Sequence, residues 1–405
     1  FGARLQLSKI TEDEVSLAVA DICEVAVFAK LTDAYGPLPF SKLGADGSLV
    51  APYDSQEVLY NSFFTKLDAA IAVLTNHSAE TFNANSDIVF GGNVVKWVKY
   101  ANTLKLRLAM RIVYVDEEKA QKKAEEAVNH SIGTLAENAD NPEYTNPEQN
   151  RYYMLCHQWG DYRAAADIVS YMNGYKDPRR EKYFTQVGGK YVGWRRGVAA
   201  ADANKGANVC SNIVVEQNTR MTWMAAAEAA FLKAEGALRG WNMGKSAREW
   251  YEEGLRLSFD QWGVSGLDTY KADSSSFPED YADPTGSGYD AGFLNQCRIS
   301  PAWDASATFE ANLERIITQK WIAAWRTEGM ESWSEFRRTG YPKLLTAGIN
   351  YSAGAVPAGG FARRYPYPVN ERTANTVNYI KALEYLGGED NMGTRLWWDC
   401  NPNTK

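Results

Sequence analysis

The chain has 405 residues, a formal net charge of −7, 45% hydrophobic residues and 23% charged ones. That balance belongs to a folded chain with a large core rather than a disordered or membrane-spanning one, and the acidic sum leaves no basic surface for phosphates, which excludes nucleic acid as the expected partner. No stretch approaches the ~18 consecutive apolar residues of a spanning helix.

The chain opens at Phe1 without a Met, a basic leader or an apolar signal core, so a precursor is expected to have lost its N-terminus. A helical pattern runs over about 12–34. Val58, Leu59, Phe63, Leu67, Ala70, Ile71 and Leu74 then recur at spacings of three and four, one stripe of a helix over 55–75. Trp97, Ala101, Leu104 and Leu108 repeat the spacing on the next segment, and further patterns cover about 117–129, 222–239, 245–259 and 309–338. Gly, Pro, Asn and Asp separate them, and alternating strand patterns are scarce.

Two helix pairs have the step of a tetratricopeptide repeat, in which small and large residues alternate so that neighbouring helices approach closely. In one, Phe231, Ala234 and Leu238 precede Ala247, Tyr251 and Gly254, although Glu235 stands where the repeat usually has Gly. In the other, Ala120, Ala124 and Ala127 follow the helix of Leu104 and Leu108. The expectation is an all-α chain, tetratricopeptide-like repeats forming a superhelical scaffold with long irregular loops. A single helical domain over 1–405 would carry loop-rich insertions at 260–308 and 345–366.

Catalytic chemistry is thin. His77, His130 and His157 lack metal-binding spacing, and the five cysteines are too scattered for a disulfide framework or a zinc site. Gly240–Ser246 imitates a phosphate loop but is one residue short and follows a helix, so it reads as a helix-to-helix turn. No G-x-S-x-G elbow appears. The Asn138–Asn141 and Glu389–Asn391 clusters lack calcium-loop spacing and read as solvated turns. No cofactor is expected, while a folded pair of carboxylates acting on a glycosidic bond remains open.

The chain holds 13 Trp and 23 Tyr. Trp97, Trp223, Trp250, Trp321, Trp325 and Trp333 sit on helical stripes and Trp397 with Trp398 forms an apolar pair, so burial accounts for them. Trp159, Trp194, Trp241, Trp262 and Trp303 stand in polar or Gly-containing loop contexts. An exposed indole can stack on the C–H face of a sugar while nearby polar groups bond its hydroxyls. The competing reading is that these rings staple loops to helices.

Several motifs, in order over nearly the whole length, resemble the SusD/RagB family of outer-membrane nutrient-binding lipoproteins. They include Lys30–Phe40 with its Tyr35-Gly36-Pro37 turn, Pro52–Tyr60 followed by Leu67–Ile71, and Trp97–Arg111 with Ala101-Asn102, Arg107 and Arg111. Asp177-Pro178-Arg179, Ala234-Glu235 and Tyr251–Gly254 continue the series. Gln319-Lys320-Trp321, Glu331–Pro342, Arg364-Tyr365-Pro366 and Leu396-Trp397-Trp398-Asp399 complete it. The resemblance implies a non-catalytic, cell-surface lipoprotein of the outer membrane that binds an oligosaccharide or polysaccharide. It also implies an N-terminal lipidated Cys and a SusC-like TonB-dependent transporter as partner.

The family's sugar contacts come from variable loops, so no binding residue carries over. The candidates are chemical ones: Trp194, Trp262, Tyr289 and Trp303 as platforms, with Asn295 and Arg298 as hydrogen-bonding neighbours. Arg195 and Arg196 beside Trp194 can serve an anionic ligand. A peptide-binding or transporter-capping role on the same scaffold is the alternative.

Overall fold

In the computed structural model, which describes residues 2–44, 50–202, 204–293 and 296–404, helices begin where a short polar side chain can take a free backbone N–H. The helices of nine residues or more are α1 (Gly2–Ile10), α2 (Glu14–Tyr35), α3 (Gln56–Asn76), α4 (Val94–Arg111) and α5 (Glu117–Val128) in the first third. Asp13, Ser55, Asn93 and Asp116 cap α2 to α5 by accepting from the N–H three residues on. Then come α6 (Ala166–Gly174), α7 (Ala226–Leu238), α8 (Ala247–Trp262), α9 (Phe309–Ala323), α10 (Gly329–Thr339) and α11 (Thr376–Leu386). The sheet content of the described residues is two antiparallel pairs of two-residue strands, β1 (Leu38–Pro39) with β2 (Tyr53–Asp54) and β3 (Glu143–Tyr144) with β4 (Met221–Thr222). The expected all-α class holds.

Helices stack in sequence order: α2 on α3, α3 on α4, α4 on α5, then α7 on α8, with α9 against α7. Both expected repeat pairs are hairpins. Ala120, Ala124 and Ala127 are fully buried on α5. In the α7–α8 pair a Cβ at Gly254 would lie 2.7 Å from the Phe231 ring, so only glycine permits this approach. Glu235, the departure from the repeat, is fully buried and held by Arg338 through two 2.6 Å hydrogen bonds.

Two boundaries differ from the sequence reading. The pattern over 309–338 is two helices, because the chain turns at 324–328 with Arg326 in the left-handed region at φ 62°. Trp262, expected in a loop, is the last residue of α8, which ends at Gly263 with φ 60°. Residues 263–308 hold one short helix, Leu267–Lys271, and are otherwise irregular among the described residues.

Candidate functional site

The side chains that position the site are charged and buried. Arg107 and Arg111 lie on the α4 stripe that also carries Leu104 and Leu108, and both point into the core. Arg107 donates to both carboxylate oxygens of Glu228 at 2.7 Å. Arg111 donates to Asp33, Glu331 and Glu335 at 3.2, 2.5 and 2.7 Å. Lys320 of α9 lies 3.3 Å from Glu331 and 3.1 Å from Glu335, and Arg338 bridges Glu335 to Glu235. One network thus ties α2, α4, α7, α9 and α10.

The surrounding cations decide its titration. Burial alone would raise the Glu331 carboxyl, but Arg111, Arg107 and Lys320 outweigh it and hold the group below the usual carboxylate range. Glu335 is likewise held low, with Arg338, Lys320 and Arg111 overcoming burial. At the edges burial wins: Asp33 and Glu328 are raised despite Arg111 and Arg107 respectively.

The face of α10 beside this network builds a cavity. Glu331, Ser334, Glu335 and Arg338 turn inward, whereas Gly329, Ser332, Trp333 and Phe336, spaced as one helical stripe, line an open cavity of about 410 Å³. Trp321 of α9 and Trp325 of the following turn add two more indoles. Tyr152, Tyr162 and Phe361 close the aromatic wall from segments outside the long helices.

Each indole is fixed from behind. The Arg337 guanidinium lies 3.7 Å from the Trp333 ring centre, and Trp333 Nε1 donates to the Ala362 carbonyl at 3.0 Å. Trp325 is stacked on Tyr183 with centroids 5.3 Å apart, and Trp321 meets Tyr171 edge-on at 5.4 Å. Polar groups at the wall are few. Asp167 accepts from Arg196 at 3.1 and 3.2 Å and from Leu345 N at 2.7 Å, and Arg163 donates to the Ala207, Gly160 and Tyr162 carbonyls. A concave, mainly aromatic surface of this volume with a few convergent polar groups is the form of a small-ligand site.

A second cavity of about 230 Å³ adjoins the first and shares Trp325 and Arg326 with it. It is polar, with Gln261, Trp262 and Thr327 among its walls. Trp262 Nε1, Trp325 Nε1 and Gln261 Oε1 are buried without a hydrogen-bond partner, at a cost of ~1–3 kcal/mol each. The left-handed Arg326 adds ~1–3 kcal/mol of backbone strain.

The expected platforms fall elsewhere, apart from Trp262 in the polar cavity. The Trp194 ring lies against Gly206, where a Cβ would come within 2.6 Å of it. Tyr289 donates to Asp202 and accepts from Ala199 N, closing a loop junction. Trp303 packs on Tyr251 with centroids 5.5 Å apart, and Arg298 is exposed with its guanidinium 5.6 Å from the Phe277 ring. Asn295 lies outside the described residues. Of the five loop tryptophans, Trp159 is the largely exposed one, whereas Trp241 is buried. In the two turns at Asn138–Asn141 and Glu389–Asn391, Asp140 pairs with Lys99 and Asp390 with Arg364. No cluster of three or more His, Cys, Asp or Glu among the described residues could hold a metal.

Among the described residues no helix is long and apolar enough to cross a membrane. A search of curated proteins gave no match. Solved structures match closely. A SusD homologue from Bacteroides uniformis is 45% identical, with a TM-score of 0.91 over 98% of this chain and 83% of its own. A chitin-binding SusD homologue from Flavobacterium johnsoniae is 39% identical, with a TM-score of 0.92 over 98% and 84%. One from Bacteroides thetaiotaomicron is 38% identical, with a TM-score of 0.91 over the same shares. The family model for SusD and RagB outer membrane lipoproteins spans residues 2–399. With this fold, and with the motif residues forming its buried ion network, the chain belongs to the SusD/RagB family of outer membrane lipoproteins.

Proposed function

We propose that this protein binds oligosaccharide or polysaccharide chains at the cell surface, without cleaving them, in the aromatic cavity beside α10, and passes them to a SusC-like TonB-dependent transporter. The observation that carries the reading is the set of three indoles, Trp321, Trp325 and Trp333, lining one 410 Å³ cavity with their positions fixed from behind. Flat rings held still suit the C–H faces of sugars, and the few polar groups beside them suit hydroxyls. The chitin-binding relative supports a glycan as the ligand class.

Asp167 is the one carboxylate among the described residues lining that cavity, and Arg196 and Leu345 N already occupy it. Glycosidases work with two carboxyl groups about 5–10 Å apart, so the geometry favours capture over hydrolysis. Stacking with a few hydrogen bonds gives micromolar to millimolar affinity, roughly −4 to −8 kcal/mol.

Affinity electrophoresis against plant, host and microbial polysaccharides tests the reading. Retardation without released reducing ends is expected, and release of reducing ends would replace it with a glycosidase. Failure to bind any glycan, with co-purification of a large barrel, would favour the transporter-capping role.

A further inference from the structure

The polar cavity holds a cation that lacks a counter-ion among the described residues. Arg326 lines both cavities, its guanidinium 4.9 Å from the Trp262 ring centre, and Nη1 donates to the Val214 carbonyl at 2.8 Å. Among the described residues it forms no ion pair; the buried Arg315 and Arg337 form none either but donate to several oxygens each, whereas Arg326 donates to the Val214 carbonyl. The carboxylate of the same cavity, Glu143, is taken up by Arg220 at 3.4 Å and Thr222 at 3.3 Å. Burial pulls the Arg326 pKa down, as it does for a cation with no anion beside it.

The backbone bears the same mark. Arg326 is held at φ 62°, and strained residues of this kind gather at ligand clamps. Two indole N–H donors on residues of the polar cavity's walls, Trp262 and Trp325, are buried and unpartnered, and such groups call for an explanation in a native structure. Arginine presents a planar fork of donors that matches an oxyanion.

We infer that the polar cavity is a subsite for an anionic substituent, a carboxylate or a sulfate ester, carried by a sugar next to the ring held in the aromatic cavity. The inference deepens the glycan-binding reading and rests on it. Trp325 and Arg326, shared by the two cavities, place the anion one step from the stacked ring.

Calorimetric titration of the whole chain tests this with paired probes. Oligogalacturonate against its methyl ester reads the carboxylate, and carrageenan oligosaccharides against their desulfated forms read the sulfate. Chitotetraose is the neutral reference. At least one anionic probe is expected to bind about tenfold or more tighter than its neutralised partner, and Arg326→Gln to reduce that ratio by about tenfold. Ratios near one in both arms, or a ratio that Arg326→Gln leaves unchanged, overturn the inference. If Arg326→Gln does not fold, the ratios of the unaltered chain decide. Binding of neutral probes with ratios near one defeats the anionic subsite alone; no binding by any probe also defeats the subsite, and the glycan reading falls with it only if the polysaccharide panel shows no retardation either.

Discussion

Arg337 lies over Trp333, its guanidinium carbon 3.7 Å from the ring centre, while donating to the Asp33 and Arg363 carbonyls at 2.6 and 2.7 Å. A cavity indole is thereby joined to a fully buried arginine. A ligand stacking on this ring would cost it little rotamer freedom, which favours affinity from a small contact.

Trp333→Ala and Trp325→Ala are each expected to weaken glycan binding by about 5- to 30-fold, roughly 1–2 kcal/mol. Trp194→Ala and Trp303→Ala are expected to change it less, since those rings pack on Gly206 and Tyr251. Affinity electrophoresis of the four variants on one retained polysaccharide checks the order. A larger loss at Trp194 or Trp303 would move the site to the irregular loops.

The Arg107–Glu228 pair is buried on both sides. Arg107→Met leaves Glu228 short of its main partner and is expected to cost about 3–5 kcal/mol. Adding Glu228→Leu removes the stranded charge and should restore part of the loss. Chemical denaturation of both single variants and the double variant measures the coupling, and purely additive losses would contradict it.

Glu331 and Glu335 have folded pKa values below their unfolded value near 4.3. The stability they contribute is present above that unfolded value and is lost as pH falls towards their folded values. Asp33 and Glu328, raised by burial, act with the opposite sign. The melting midpoint is therefore expected to fall from about pH 4.5 downward, and Glu328→Gln to cost less at pH 7 than Glu331→Gln. Thermal melts across pH 2–7 check both, and the reverse order of the two variants would refute the assignment.

Gly254→Ala sets two effects against each other. Alanine in a helix interior gains about 1 kcal/mol over glycine, but its methyl would sit 2.7 Å from the Phe231 ring, and overpacking costs about 1–3 kcal/mol. The clash should win, so a lower melting midpoint is expected. A rise would mean that α8 can move away from α7 at little cost.

The long helices were legible because apolar stripes at three- and four-residue spacing directly report burial, as in Leu59, Phe63, Leu67 and Leu74 of α3. The ion network was not, since its partners are far apart in the chain: Arg107 and Glu228 by 121 positions, Arg111 and Glu335 by 224. A trace of it existed in Arg107 and Arg111, which occupy the same stripe as Leu104 and Leu108. The cavity was hidden for a related reason. Trp321, Trp325 and Trp333 read as core because 309–338 looked like one helix, and the turn at Arg326 that exposes their faces to a cavity carries neither Gly nor Pro. Loop tryptophans drew attention by context, yet a small neighbour such as Gly206, which lets Trp194 settle, is visible only in three dimensions.

The eleven residues of α10 serve two masters in alternation: Trp333 and Phe336 line the cavity, and Glu331, Glu335 and Arg338 bind the frame. A change of backbone register there would disturb both at once, so that jaw of the vise is tied to the frame. Tyr152, Tyr162 and Phe361 come from outside the long helices and form a second jaw. Adaptation to a different ligand has one inexpensive route, which is to recut that second jaw and leave the first alone.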